Sequence, residues 1–460
     1  MNHRWGNGYY SIENKFYTDR TILEIDKVTY YDLSIFNTEE EYSLLHRINF
    51  CNTFGGKQKL EYLLTHPHHN LKKIEDTQQT LQQIGEVILQ WPKEITNGTI
   101  LVLEKFYGYP FDNIPDSYSP VPAFFYRLFE APDYRLVRYT VGHFIDFLRG
   151  MSQLQKLFDQ DNLSPILQSL IVEVRKLLNH SMVHDMIKQH SSATLAPSKM
   201  LRFGNFLRIE YKRQAEQLID IYHKLDAYYS MAKAVQHFDL HFPEIKESDE
   251  PLIKAKGLYH LLLQTPVAYD ITLNPQTNFL FLTGANMAGK STFIKSVGCA
   301  VYLAHVGMGV PAASMELSLF DGLLSNIQVQ DNIVKGESYF YNEVQRIKNT
   351  VLKITDGRKW LVLIDELFKG TNIQDAMHCS TAVIKGLLKI KNSLFILSTH
   401  LYEIGDELKQ YPNISFRYFE TTATEEQLQF SYQLKEGISN DRFGYLILKR
   451  EKVVEMLEKL

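Results

Sequence analysis

The spacing of apolar residues divides this 460-residue chain into two kinds of structure. Over residues 40–238, leucine, isoleucine and phenylalanine recur every three or four positions, which is the period of an amphipathic helix. After about residue 243, short apolar runs alternate with helical segments; examples are FLFL (279–282), LVLI (361–364) and LFIL (394–397). Such runs are typical of strands buried on both faces of a parallel sheet. The pattern predicts helices followed by an α/β domain with a mainly parallel sheet.

This pattern suggests three parts along the chain. Residues 1–40 are rich in Tyr, Thr and Ile, which suggests short strands or an irregular N-terminal arm. Residues 41–245 are expected to form the helical domain, and residues 246–460 the α/β domain. The change of period from helical to strand-like places the boundary near residue 245.

Two long helices stand out within the helical domain, at residues 164–190 and 206–238. The segment between them, SSATLAPSKMLRFGN, contains Ser, Pro and Gly and predicts a loop. One interpretation is an ordinary antiparallel helix pair inside a bundle. The other is a long hairpin that projects from the body, with its tip near residues 190–205.

Composition narrows the class of protein. Hydrophobic residues make up 45% of the chain and charged residues 22%, as in ordinary globular proteins. No apolar run reaches the roughly 18 residues needed to cross a bilayer, so no membrane partner is expected. The three cysteines are far apart, which indicates neither a disulfide framework nor a zinc site. Because the N-terminus lacks the apolar core of a signal peptide, we expect a cytoplasmic protein.

The strongest candidate chemistry follows the run FLFLT. Here the chain matches G-x-x-x-x-G-K-[ST] between a predicted strand and a predicted helix. The glycines of this pattern let backbone N–H groups surround phosphate oxygens, and the helix N-terminus adds its positive end. Lys290 is expected to reach the β- and γ-phosphates of ATP, and Ser291 to bind Mg²⁺. The candidate ATP-binding residues are Gly284, Ala285, Asn286, Met287, Ala288, Gly289, Lys290, Ser291 and Thr292.

Two further strands end in polar residues that complement this loop. The run WLVLI brings Asp365 and Glu366 to the carboxyl edge of the sheet, where α/β proteins bind ligands. Asp365 suits a Mg²⁺ ligand, directly or through water, and Glu366 suits the base that orients the attacking water. His400 follows the run LFILST and is either a γ-phosphate sensor or an ordinary structural histidine. Together these motifs predict a Mg²⁺-dependent ATPase.

These motifs, in this order, resemble those of the MutS family of DNA mismatch-repair ATPases. TGANMAGKST at residues 283–292 matches the family's TGxNMxGKST, and STH at residues 398–400 matches its sensor. DELFKGT at residues 365–371 resembles the family's DELGRGT, although Phe368 and Lys369 replace Gly-Arg. The resemblance implies a helical core and lever domain followed by an ABC-like P-loop ATPase domain.

The resemblance also implies a dimer. GESYF at residues 336–340 resembles the family's signature segment GxSTF, whose serine approaches the nucleotide of the opposite subunit. Ser338 occupies that position here, which implies a homodimer with composite ATP sites. The family's N-terminal mismatch-reading domain has no counterpart in this sequence, so the chain resembles a short form. DNA with a mismatch, branch or distortion is the implied partner, with other repair proteins as further candidates.

A local excess of basic residues is the candidate DNA-contacting surface. Between residues 171 and 213, eight lysines and arginines face three acidic residues, although the whole chain carries a formal charge of −4. Lys199, Arg202 and Arg208 lie in or near the predicted hairpin tip, where the family's clamp grips the DNA backbone. Phosphate contacts of this kind position a protein without reading sequence. A solvated helix face explains the same charges.

Two functions of other classes remain open. An ABC-type ATPase acting on protein partners would carry an LSGGQ-like signature before the second acidic motif, and this sequence has none. A nucleotide-gated P-loop scaffold without DNA contact would need no basic surface at all. The ATPase that binds mismatched, branched or distorted DNA in repair or recombination is the leading prediction.

Overall fold

The computed structural model describes residues 21–110, 114–116, 119–189, 195–328, 339–423, 428–439 and 452–458. Helices make up most of the first half, as predicted. Their bounds are α1 (Lys27–Asp32), α2 (Leu44–Ile48), α3 (Phe54–Thr65), α4 (Leu71–Val87), α5 (Asn97–Gly108), α6 (Pro120–Phe129), α7 (Ala131–Leu157), α8 (Pro165–Leu178), α9 (Ser181–Ile187), α10 (Pro197–Ile209) and α11 (Lys212–His237).

Local signals set many of the helix starts. The side chains of Asn70 and Ser164 accept hydrogen bonds from backbone N–H groups in the first turns of α4 and α8. These bonds satisfy donors that have no partner within the helix. Pro165 follows in the first turn of α8, where its missing N–H has no cost. The buried faces of these helices meet in one apolar core, so that burial rather than helix propensity is the main stabilising term.

The predicted loop between two long helices is wrong for the described residues of that segment. The predicted helix at 164–190 is divided into α8 and α9, because His180 interrupts it and caps α9. Much of the predicted loop is α10, which buries Met200 and Phe203 and packs against α6 and α7. Proline content was misleading because Pro197 occupies the first turn of α10, a position that proline tolerates.

A seven-stranded sheet lies at the centre of the second half. Its order is β1-β7-β8-β9-β5-β10-β11, and every pairing is parallel except that of β10 with β11. The runs FLFL, LVLI and LFIL are the central strands β5, β8 and β9, buried along their whole length as predicted. The bounds of the sheet are β1 (Glu24–Ile25), β5 (Phe279–Thr283), β7 (Gly322–Asn326), β8 (Trp360–Asp365), β9 (Leu394–Ser398), β10 (Ile414–Ala423) and β11 (Leu428–Glu436).

A smaller mixed sheet, in the order β2-β6-β3-β4, lies beside the first. Its strands are β2 (Glu244–Lys246), β3 (Ile253–Leu258), β4 (Tyr269–Leu273) and β6 (Ser314–Ser318). The helices of the second half are α12 (Lys290–Val306), α13 (Tyr339–Ile354), α14 (Ile373–Leu387), α15 (Glu403–Leu408) and α16 (Val453–Glu458). Alternate residues of the central strands enter two cores, because Leu280 and Leu282 belong to the core shared with the helical half and Phe279 and Phe281 to the opposite one.

Residues 21–40, the described part of the predicted N-terminal arm, contain β1 and α1, and β1 belongs to the large sheet. Glu24 in β1 pairs with Gly322 in β7. Asp32, at the end of α1, accepts hydrogen bonds from Ser325 Oγ at 2.6 Å and from Arg346 at 2.9 Å. These bonds fix α1 against β7 and α13. Short strands were one of the two predictions for this region, but the sequence did not reveal the partner of β1, because a two-residue strand leaves no detectable hydrophobic period.

The change from helices to sheets falls between the end of α11 at His237 and the start of β2 at Glu244. The two halves share one apolar core, which runs from the helical bundle to α12 and one face of the large sheet. Among the described residues, no helix has both the length and the apolar character needed to cross a membrane.

Candidate active site

A tight glycine-containing loop joins β5 to α12 at the carboxyl edge of the large sheet. Gly284 and Gly289 have φ angles of 138° and 105°, which favour glycine over other residues. A Cβ atom at Gly284 would also lie 3.2 Å from the backbone oxygen of Phe419. The loop ends where α12 begins at Lys290, so that it leads into a helix N-terminus, which attracts anions.

Lys290 is buried inside this loop, with 5% of its surface exposed. Its Nζ donates hydrogen bonds to the backbone oxygens of Gly284 at 2.8 Å and Ala285 at 3.0 Å. Burial lowers the pKa of Lys290 to about 8, although the charges of Glu366 and Asp365 act in the opposite direction. The Lys290 amine is therefore held at the base of the loop by two backbone oxygens. A phosphate oxygen can replace either of them as the acceptor.

Asp365 ends β8 and accepts hydrogen bonds from two hydroxyl groups. Ser291 Oγ donates to Asp365 Oδ2 at 2.5 Å, and Ser398 Oγ, at the end of β9, donates to Oδ1. Asp365 is buried, whereas Ser291 in the first turn of α12 is exposed. Hydroxyl and carboxylate oxygens are the ligands that Mg²⁺ prefers. Ser291 and Asp365 therefore have both the chemistry and the proximity to hold this ion.

The next residue, Glu366, is held at both carboxylate oxygens. His400 Nε2 lies 2.6 Å from Oε1, and Lys369 Nζ lies 3.1 Å from Oε2. Burial acts to raise the pKa of Glu366, but the hydrogen bond and charge of His400, together with Lys369, lower it to about 2. Glu366 is thus ionised near neutral pH and has a fixed orientation. This contact of the His400 ring with Glu366 is compatible with both predictions for His400, a γ-phosphate sensor and a structural histidine.

The remaining residues of the predicted ATP site lie in the same loop and in the first turn of α12. Asn286 and Met287 are exposed, whereas Ala285 and Ala288 are buried and Thr292 is half-buried. Ser338, the expected contact to a second subunit, lies outside the described residues.

Three further residues of this site were not assigned by sequence reasoning. Lys369 was noted only as a departure from the family pattern, and Ser398 only as part of the STH motif. Glu343 in α13 accepts hydrogen bonds from the backbone N–H groups of Lys369 and Gly370. Its burial, at 4% exposed, contrasts with the usual exposure of glutamate. For these three residues, the sequence offered one signal: Lys369 follows Glu366 by three residues, a spacing that allows an ion pair.

The three candidate DNA-contacting residues make contacts within the chain. Lys199 Nζ lies 2.9 Å from Asp185 Oδ1, and Arg202 Nε lies 4.0 Å from Asp116. The Arg208 guanidinium donates to the backbone oxygens of Phe106 and Tyr109 at 2.5 and 2.6 Å. These oxygens lie at the C-terminal end of α5, where a cation caps free carbonyl groups. Arg208 therefore stabilises a helix end.

The arrangement places the chain in the class of α/β proteins with a mostly parallel sheet and a glycine-rich loop at its carboxyl edge. Residues 280–457 match the family described as MutS domain V. The matched segment makes up 178 of the 460 residues, so the similarity to this family covers most of the α/β half of the chain.

Two curated relatives illustrate this similarity. The DNA mismatch repair protein MutS of Petrotoga mobilis is 28% identical over 244 residues, which cover 52% of this chain and 30% of that protein. The DNA mismatch repair protein msh3 of Aspergillus oryzae is 30% identical over 207 residues, which cover 44% of this chain and 18% of that protein. The matched part therefore spans less than a third of either relative.

Proposed function

We propose that this chain is a P-loop ATPase of the MutS type, which couples Mg²⁺-dependent ATP hydrolysis to the clamping of mismatched, branched or distorted DNA. One observation carries the proposal: the glycine loop meets two carboxylates at one edge of the sheet. Ser291, in the first turn of the helix that follows the loop, donates a hydrogen bond to Asp365. The neighbouring Glu366 is held by His400 and Lys369. Phosphate-binding, ion-binding and water-orienting groups are thus adjacent.

Each residue then has a role in hydrolysis. The loop N–H groups and Lys290 bind the β- and γ-phosphates of ATP, and Ser291 and Asp365 hold Mg²⁺. When bound, the ion neutralises charge that develops on the phosphate oxygens. Glu366 orients the attacking water through its fixed carboxylate, and His400 keeps that carboxylate in place. Ser398 fixes the second oxygen of Asp365, which directs the first toward Ser291.

Partners follow from the family. Both relatives are named as DNA mismatch repair proteins, which supports DNA as the partner of this chain. Composite ATP sites, completed by Ser338 of a second copy, would make the active form a homodimer. Further repair proteins, and action in the cytoplasm, belong to the same proposal.

The experiment measures ATP turnover and DNA affinity on the same purified chain. Phosphate release is followed with Mg²⁺ and with a chelator. Binding to homoduplex, mismatched and branched DNA is titrated at several salt concentrations, with and without ATP, because phosphate contacts weaken as salt rises. The proposal expects Mg²⁺-dependent turnover and a DNA affinity that changes with ATP. Turnover without binding to any of these DNAs would contradict the DNA half of the proposal.

One observation favours a second candidate, the nucleotide-gated scaffold without DNA contact. Arg208 caps α5 and Lys199 pairs with Asp185, so two of the three candidate DNA residues already serve the fold. The same titration decides between the two functions, since a scaffold shows no salt-dependent DNA affinity.

A further inference from the structure

We propose that Glu343 and Lys369 are positioning residues that hold the carboxylate of Glu366 in its working orientation. The inference rests on the proposed role of Glu366 in ATP hydrolysis. Neither residue is assigned to phosphate or Mg²⁺ in that mechanism, and both act through Glu366.

Glu343 contacts the turn that contains Lys369 and Gly370. Glu343 lies on α13, and its two carboxylate oxygens accept hydrogen bonds from two successive backbone N–H groups. Oε1 accepts from Lys369 at 3.2 Å and Oε2 from Gly370 at 3.3 Å. A carboxylate with one oxygen on each of two neighbouring N–H groups fixes the direction of the backbone there.

This turn needs an external support. Glu366 and Phe368 have φ angles of 63° and 59°, in the left-handed region that is unfavourable for residues other than glycine. Phe368 occupies the position of a glycine in the family's DELGRGT. Its ring packs against Phe340 of α13, with centroids 5.7 Å apart. Helix α13 therefore holds the turn at two points, Phe340 and Glu343, and such strained conformations persist where the surroundings enforce them.

This turn reaches Glu366 through Lys369. With its backbone fixed by Glu343, Lys369 places Nζ 3.1 Å from Glu366 Oε2, while His400 Nε2 lies 2.6 Å from Oε1. If His400 were the sole partner, the carboxylate could rotate about its last bond and keep one contact. With two partners on opposite oxygens, rotation breaks at least one ion pair. Lys369 therefore fixes the rotation of the Glu366 carboxylate about its last bond. This rotation sets the direction in which the carboxylate can accept a hydrogen bond from the attacking water.

The charge of Lys369 has a second consequence at the same place. Lys369 also interacts electrostatically with Lys290 and Asp365. Replacing Lys369 by a neutral residue thus changes the balance of charge around Glu366 without removing a phosphate-binding or Mg²⁺-binding group. The change should affect the rate of the chemical step rather than ATP binding.

The first test replaces Lys369 by methionine, which keeps the length of the side chain and removes its charge. We expect kcat for ATP to fall about tenfold or more, because a misplaced orienting group slows hydrolysis, while KM changes by less than about twofold. Lys369→Arg should recover most of the loss, since guanidinium also pairs with a carboxylate. Lys348→Met is the matched control, because Lys348 is an exposed lysine on α13. An unchanged or increased kcat in Lys369→Met would overturn the positioning role.

The second test asks whether Glu343 acts through Lys369. In Glu343→Gln an amide N–H₂ group replaces one acceptor, and one backbone N–H group loses its partner. We expect kcat to fall about tenfold in the parent background and by much less in Lys369→Met, because effects transmitted through one residue are not additive. Equal losses in both backgrounds would show that Glu343 acts independently. If Glu343→Gln does not fold, Glu343→Asp in the same two backgrounds answers the same question.

A parallel Glu366→Gln variant separates this inference from the proposed function. If Glu366→Gln loses turnover and Lys369→Met keeps it, the role of Glu366 stands and the positioning role fails. If Glu366→Gln hydrolyses ATP at the parental rate, the proposed role of Glu366 itself is refuted.

Discussion

Two buried aspartates, one in each half of the molecule, use their oxygens in different ways. Asp226 on α11 accepts four hydrogen bonds from two adjacent residues, Asn52 and Thr53, through both backbone N–H groups and both side chains, at 2.7–3.0 Å. Asp365 at the end of β8 instead accepts from the hydroxyl groups of Ser291 and Ser398.

The difference separates a structural carboxylate from a site carboxylate. Two of the four donors to Asp226 are backbone N–H groups of the segment that enters α3, and moving these two would require the backbone to unfold locally. The donors to Asp365 are hydroxyl groups, which rotate and also act as acceptors. In the proposed mechanism Asp365 exchanges a hydroxyl contact for Mg²⁺, whereas Asp226 joins α11 to the start of α3. Burial alone does not distinguish these two carboxylates; the backbone donors to Asp226 do.

The largest effect is expected on ATP turnover, from a substitution in the α/β half of the chain. Lys290→Ala should reduce ATP turnover by about 100-fold or more, because it removes the charge that meets the developing charge on the γ-phosphate. Phosphate release with saturating Mg²⁺ measures the loss. Near-parental turnover in a folded Lys290→Ala protein would remove this loop from the active site.

The different roles of Asp226 and Asp365 are tested by replacing each of them with asparagine. Asp226→Asn should lower the free energy of unfolding by about 2 kcal/mol, because the amide group cannot accept from donors that it faces and leaves them unsatisfied in the core. Asp365→Asn should leave stability closer to the parental value and reduce Mg²⁺-dependent turnover instead.

Urea denaturation and phosphate release are measured on both variants. Equal losses of stability, with turnover retained in Asp365→Asn, would mean that both carboxylates are structural.

A smaller effect is expected from subunit mixing. When Lys290→Ala and Ser338→Ala chains are mixed in equal amounts, about half of the dimers should be heterodimers with one intact composite site, which gives about a quarter of the parental activity. The measurement is ATP turnover before and after mixing, with heterodimers detected by a size tag on one chain. Heterodimers without any recovered turnover would contradict a site shared between chains.

The smallest effect is expected on the helical half. Converting Lys199 and Arg202 to Glu should weaken binding to all duplexes alike and flatten its dependence on salt, because phosphate contacts release counterions. ATP turnover without DNA should stay unchanged. Arg208→Ala serves as a contrast, since the loss of the α5 cap should lower stability by about 1 kcal/mol. DNA affinities that match the parent at low and high salt would exclude Lys199 and Arg202 from the DNA surface.

Much of the site could be predicted because its motifs are local. The run FLFLT, the glycine loop and the start of α12 are consecutive in sequence, so their strand–loop–helix order follows directly from the pattern. The buried runs before Asp365 and His400 also have a clear signal, because strands buried on both faces are continuously apolar. The carboxyl ends of parallel strands meet at one edge, which brings Ser291, Asp365 and Glu366 together.

The sequence was ambiguous where the same residue type is compatible with two different structures. Proline before Met200 indicated a loop, yet proline is equally suited to the first turn of a helix, and the apolar residues that follow are buried in α10. Arg208 was predicted to contact DNA, and this stays a prediction; a basic residue near free carbonyl groups is also suited to cap a helix, which is the contact that Arg208 makes in the structure. Charge and composition alone cannot separate these alternatives, since the deciding partner is distant in sequence.

The sequence by itself determined the chemistry available to this protein: a glycine loop with Lys290 and Ser291, and two carboxylates at the end of a buried strand. Only the tertiary structure decided how the second carboxylate is held. Glu343 reaches the 369–370 turn from another helix, and Asp32 reaches Arg346 across more than 300 residues of chain. Such contacts have no period and no local spacing, because they depend on how α1, α13 and the sheet pack together.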